Sequence, residues 1–168
     1  MVADIGMGEG LLIIWHSRTG AARAMADAAG EGASSAAPCT LLPAENVTPA
    51  DLLAAGGYVF CCPENLGSMT GAMKEFFDRC YYPVLGLIEG RPYATMIAAG
   101  SDGTGAERQI DRIVTGWRLR RVAEPLIICT KAQTPNEILG AKRLSPDQLQ
   151  RCHDLGQAFS TALNLGVF

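Results

Sequence analysis

Five short apolar runs alternate with segments of helical period along the whole chain. Residues 11–15, 39–42, 57–62, 93–99 and 125–130 read as strands, the second of them weak. Unbroken apolar runs of this length suit strands buried on both faces. Between them lie helix patterns. Ala22, Met25, Ala26 and Ala29 share one face of a helix over about 20–30, and Thr48 caps a short one that opens with Pro49. Over 71–82, Met73, Phe76, Phe77 and Cys80 form a stripe opposite Lys74, Glu75, Asp78 and Arg79, and Pro83 is expected to end that helix. Ile110, Ile113, Val114 and Trp117 mark a fourth helix. Ser145, Pro146 and Gln148 open a final one with a capping box, running to about residue 163. Strand followed by helix, five times over, predicts a parallel sheet covered on both faces, because each crossover is right-handed.

The 168 residues predict one domain, with 1–10 as a mobile tail containing Gly6, Gly8 and Gly10. A content of 48% hydrophobic and 18% charged residues excludes a disordered chain. The net charge of −3 lends nucleic-acid binding no support. No apolar run approaches the roughly 20 residues of a membrane helix, and the first ten residues lack the basic region of a signal peptide. Six cysteines form no CxxC and no metal-like spacing, so the expectation is reduced, mostly buried thiols in a cytoplasmic protein without a metal site. Cys61 and Cys62, adjacent on one strand, are expected to face opposite sides.

Doubly wound sheets bind ligands beyond the carboxyl ends of their strands, at the point where strand order reverses. That nominates the loops after strands one, three and four. The first, Ser17-Arg18-Thr19-Gly20-Ala21-Ala22, joins a strand to a helix start and offers hydroxyls, free backbone N–H groups and a glycine. Such a helix start favours a phosphate, with Arg18 or Arg23 to neutralise it, although simple capping explains the same residues. Neither GxxxxGK[ST] nor a GxGxxG after strand one occurs, so triphosphate and dinucleotide fingerprints are absent and a mononucleotide fits better. The second loop, Pro63-Glu64-Asn65-Leu66-Gly67-Ser68-Met69, combines turn residues, amides and apolar side chains suited to a flat heteroaromatic ring. The third, Gly100-Ser101-Asp102-Gly103-Thr104-Gly105, concentrates glycine where close approach to a ligand, or a plain turn, would require it.

Three strings, HSRTGAARAMADA, PENLGSMTGAMKEFFDR and AAGSDGTGAERQIDRI, resemble the flavodoxin-like family, in particular its NAD(P)H-dependent FMN reductase branch. The second string is the most specific. The resemblance implies a three-layer, doubly wound, five-stranded parallel sheet in the order 2-1-3-4-5. It implies an FMN phosphate on Ser17, Arg18, Thr19, Gly20, Ala21 and Ala22. The ring would then lie against Pro63, Glu64, Asn65, Leu66, Gly67 and Ser68 and against Gly100, Ser101, Asp102, Gly103 and Gly105. Ala22 stands where the family's phosphate loops usually carry a hydroxyl. A lost bond to a charged group, worth about 1.5–3 kcal/mol, weakens binding roughly tenfold to a hundredfold. The family's electron carriers place Trp or Tyr beside the ring and are strongly acidic; this chain does neither, which favours a reductase.

The expected function is therefore FMN-dependent transfer of reducing equivalents from NAD(P)H to a flavin, quinone or similar acceptor, with no side chain as acid, base or nucleophile. A backbone N–H in 64–68 is the candidate for tuning the ring. The alternatives are an electron carrier with no NAD(P)H site, serving a redox partner protein, and a protein that has lost FMN. Neither nucleic acid nor membrane is an expected partner, and a homodimer is possible. His16 reads as a satisfied structural histidine before a ligand. Two further features stay open. The cations of 118–121 are a solvated helix end or a docking patch for nucleotide phosphates, and Leu85-Gly86-Leu87-Ile88 packs at a dimer interface or covers the flavin.

Overall fold

A computed structural model describes residues 8–168. The chain forms β1 (Leu11–Trp15), α1 (Ala21–Ser34), β2 (Cys39–Pro43), a 3₁₀ turn (Ala44–Asn46), α2 (Pro49–Ala54), β3 (Gly57–Asn65), β4 (Ser68–Met69) and α3 (Gly71–Val84). It continues through β5 (Pro92–Ala99), α4 (Thr104–Gly116), β6 (Arg120–Arg121), β7 (Leu126–Cys129), α5 (Pro135–Leu139) and α6 (Pro146–Asn164). The long strands pair in parallel in the order β2-β1-β3-β5-β7. This is the order expected of five strands, since β5 and β7 are the fourth and fifth apolar runs. Two-residue strands decorate it: β4 returns antiparallel on the end of β3, and β6 pairs with the first residues of β5.

Alternating side chains of the same strands build two separate cores. Leu12, Ile14, Tyr58, Phe60 and Cys62 pack with Met73, Phe76, Phe77 and Cys80 of α3 and Ile110, Val114 and Trp117 beside them. Leu11, Ile13, Val59 and Cys61 pack with Ala22, Met25, Ala26 and Ala29 of α1 and Cys152 and Phe159 of α6. Cys61 and Cys62 thus lie on opposite faces, as pleating requires. Among the described residues all the cysteines are free thiols, and burial pushes the Cys62 thiol up to about 12.

Thr48 and Ser145 complete capping boxes with Asp51 and Gln148, as their spacing predicts. Two boundaries differ from expectation. Pro83 lies inside the last turn of α3 rather than after it. At that position its missing N–H costs one bond, and Leu85 N closes the helix on the Tyr82 carbonyl at 3.3 Å. Helix α1 continues past Gly30 to Ser34 because α6 crosses it closely: a Cβ on Gly32 would stand 2.0 Å from the His153 carbonyl oxygen, and one on Gly156 2.0 Å from that of Ala29. Of the tail expected to be mobile, residues 1–7 lie outside the described residues. Residues 8–10 are held, with Glu9 N on the Ala54 carbonyl at 2.8 Å and Gly56 N on that of Gly10 at 2.9 Å.

Candidate functional site

Strands β1, β3, β5 and β7 all end on the same edge of the sheet, and there a cleft encloses about 640 Å³, counting its open mouth. The three loops singled out from the sequence meet in it, though not all of their residues reach it.

Loop one reaches it with Ser17, Arg18, Thr19, Ala21 and Ala22. Gly20 takes the N-cap position of α1 in the left-handed region, at φ 102°, where glycine is unstrained. It has no side chain to cap with, and the first turn of α1 carries no acid. Ser17 Oγ accepts from Gly20 N at 3.1 Å, which curls the loop over the helix start. Arg23 is engaged elsewhere: it pairs with Asp27 at 3.0 Å and stacks on Trp15, 4.5 Å from the ring centre. Arg18 is exposed and lines the cleft, so of the two cations it is the one available there. The donor set therefore fits an anion: two hydroxyls, an uncapped helix start and one guanidinium. Ala22 adds no donor.

His16 holds this loop to α3. Its Nδ1 is 2.8 Å from Thr70 Oγ1, and its backbone N donates to the Cys61 carbonyl at 2.9 Å. Burial lowers its pKa from 6.5, with nearby Arg18 adding to the effect and Glu45 opposing it.

Loop two divides. Pro63, Glu64 and Asn65 line the cleft, while Leu66, Gly67 and Ser68 form the tip of the β3–β4 hairpin outside its wall. Leu66 and Gly67 both have positive φ, 53° and 74°, the signature of a tight hairpin turn, and Leu66 is 98% exposed. Met69, expected at the ring, is buried in the core. Helix α4 grips the hairpin: Gln109 accepts from Met69 N at 2.8 Å and donates to Ser68 Oγ at 3.2 Å.

Loop three contributes Gly100 together with Ala98 and Ala99. Ser101, Asp102, Gly103 and Gly105 do not line the cleft. Asp102 accepts from Thr104 Oγ1 at 2.9 Å. Packing alone requires two of the glycines: a Cβ on Gly103 would meet Ile127 at 2.6 Å, and one on Gly105 the Gly67 carbonyl oxygen at 2.1 Å. The N–H groups of Gly103, Gly105 and Ala106 all donate to the Glu64 carboxylate, at 3.1, 2.9 and 3.2 Å. Glu64 thereby caps α4 and ties loop two to loop three.

A fourth wall was not anticipated. Thr130, Ala132, Ile138, Leu139 and Lys142 also line the cleft. Thr134-Pro135 with Glu137 repeats the pattern that opens α6, so the start of α5 was readable. Its folding over the cleft was not, because nothing local encodes it.

Two other features lie away from the site. β6, which carries the basic run, pairs with the first residues of β5, at the opposite edge from the cleft. Arg121 is bound by Glu107 and Asp111, and Arg118 faces Glu89 at 3.6 Å. The apolar run 85–88 follows the far end of α3 and forms no part of the cleft wall.

Residues 42–130 match the model of a family described as NADPH-dependent FMN reductase. A flavodoxin from Aquifex aeolicus (strain VF5) is 32% identical over 111 residues, 65% of this chain and 60% of its own length. The fold is similar to that of an archaeal flavodoxin, with a TM-score of 0.76, 19% identity and coverage of 92% of this chain and 98% of the other. It is also similar to a flavodoxin, WrbA-like protein from Agrobacterium tumefaciens (0.71, 14%, 94% and 99%). The flavodiiron protein from Giardia intestinalis aligns over 96% of this chain and 38% of its own, at 0.74 and 16% identity.

Proposed function

The chain belongs to the NADPH-dependent FMN reductase family, and we propose that it binds FMN noncovalently in this cleft and passes reducing equivalents from NAD(P)H to a small-molecule acceptor. Bound FMN supplies the redox chemistry; the protein supplies position and electrostatics. The observation that carries the reading is the uncapped start of α1, opening into the same cleft as Arg18, Ser17 and Thr19. An anionic group held there is neutralised by the guanidinium and by the positive end of the helix.

Pro63, Glu64 and Asn65 on one side and Ala98, Ala99 and Gly100 on another supply a largely apolar slot for a ring. Glu64 keeps the walls in register by holding both loops. Of the stretch 64–68, Glu64 and Asn65 line the cleft, and a backbone N–H there is the candidate for tuning the ring; the grip of Gln109 on Ser68 and Met69 steadies the hairpin that follows. No side chain is required to move a proton.

Among the described residues no helix is long and apolar enough to cross a membrane; cytoplasmic residence and a homodimer belong to the same proposal. The likeness to a flavodoxin favours a second reading, an electron carrier reduced by a partner protein. Purified protein separates the two. A yellow preparation that bleaches anaerobically on adding NADPH or NADH alone is the expected result; bleaching only through a separate reductase supports the carrier. Protein that is colourless and indifferent to added FMN would refute both. Thr19→Ala is expected to weaken FMN in apoprotein titration more than it lowers the turnover of loaded protein.

A further inference from the structure

The segment from Thr130 to Lys142 is fastened at both ends yet has almost no core of its own. At one end Thr130 N and Lys131 N donate to the carbonyls of Ala99 and Gly100, both at 2.8 Å. At the other, Lys142 N donates to the Thr19 carbonyl at 2.8 Å. It therefore spans the cleft from loop three to loop one. Helix α5 in its middle has five residues, too few to be stable alone, and none of them is buried.

Two devices hold it. Thr134 and Glu137 form a complete capping box, with Gln133 N also on the Glu137 carboxylate at 2.9 Å. Lys142 Nζ donates to the carbonyls of Ile138 and Gly140 at 2.9 and 2.6 Å, which fixes the C-terminal end. The product is a rigid mount for two adjacent large apolar side chains. Ile138 and Leu139 line the cleft while remaining 49% and 73% exposed. No aromatic side chain stands in the cleft wall among the described residues.

We propose that this strap is a ring-binding element of the cleft: Ile138 and Leu139 form an apolar wall against the flat flavin ring, which covers them in turn. The inference rests on the FMN reading above. The occupant is the cofactor ring and not the acceptor, because the strap is anchored on Thr19 at the anion-binding end and on Gly100 at the ring wall. A ligand spanning those two ends passes along it.

The test titrates wild-type apoprotein and the double variant Ile138→Ala/Leu139→Ala with FMN and with riboflavin, which lacks the phosphate, following flavin fluorescence. Amide hydrogen exchange over 135–142 is measured with and without FMN. The expected result is weakening of both flavins by the same factor, roughly ten- to fiftyfold for this much apolar area, with the melting point of the apoprotein unchanged and exchange slowed by FMN. Equal affinity in variant and wild type overturns the proposal. So does weakening of FMN with riboflavin unaffected, which would place the strap's action on the phosphate, or a raised KM for the acceptor with flavin affinity intact. A wild type that binds neither flavin overturns the FMN reading itself, whereas wild-type binding with an indifferent variant defeats the strap alone.

Discussion

Helices α1 and α4 open with nearly the same backbone. Gly20 and Gly103 both occupy the N-cap position in the left-handed region, at φ 102°, ψ −20° and φ 91°, ψ −15°, and each follows a strand that ends on the cleft edge. Their fates differ. At α4 the Glu64 carboxylate takes three backbone N–H groups and Gly103 is buried. At α1 the N-cap is exposed, only the Gly20 N–H meets a side chain, that of Ser17, and the first turn of the helix opens beside Arg18 without a carboxylate. Two helix starts with the same capacity for an anion thus divide into one satisfied by the protein itself and one left open at the cleft.

Removing the internal partner should have the largest effect. Glu64→Ala strands three N–H groups at once and is expected to cost about 3 kcal/mol of apoprotein stability, roughly 6–12 °C in Tm, with Glu64→Gln recovering part. Thermal melts check this, and an unshifted Tm would break the contrast between the two helices. Next, Arg18→Ala should leave the Tm of the apoprotein in place and weaken FMN by about tenfold to a hundredfold while sparing riboflavin. Equal loss for both flavins would mean that α1 is no more an anion site than α4.

His16 offers finer probes. A phosphate bound beside it opposes the lowering produced by burial, so NMR titration should show the His16 pKa rising when FMN is added; an unmoved value would place the anion elsewhere. The smallest effect concerns stability. Because the folded-state pKa of His16 lies below 6.5, the unfolded chain binds more protons there. Its contribution is full above pH 6.5 and declines as pH falls toward the folded value. His16→Asn should flatten that decline in denaturant melts taken between pH 7 and about pH 5.

The architecture was readable because the central strands β1, β3 and β5 are buried on both faces over most of their length and are mostly apolar, as β5 is from Pro92 to Ala99 apart from Thr95, whereas the half-exposed edge strand β2 gave a weak signal. Capping residues marked α2 and α6 for an equally local reason. What escaped were elements whose existence depends on a partner distant in sequence. β6 has two residues and exists by pairing with Pro92 and Tyr93, and the β4 hairpin is held from α4 by Gln109. The site divided in the same way. Loop one carries its chemistry in consecutive residues, and Ser17, Arg18 and Thr19 do line the cleft. The glycines of loop three looked like a ligand cradle, yet Gly103 and Gly105 are needed by Ile127 and by the Gly67 carbonyl.

From order and composition alone follow a doubly wound parallel sheet, the edge on which its loops converge, and a helix start suited to an anion. These depend on periodicity and on short-range backbone chemistry, which neighbouring residues determine. Which helix start stays open, which cation serves it and what closes the fourth side of the cleft were decided by contacts between residues some 40 to 120 positions apart, Glu64 with Gly105 and Thr19 with Lys142 among them. A carboxylate satisfies whichever N–H groups the fold brings to it, and that choice is made only when the strands have taken their places.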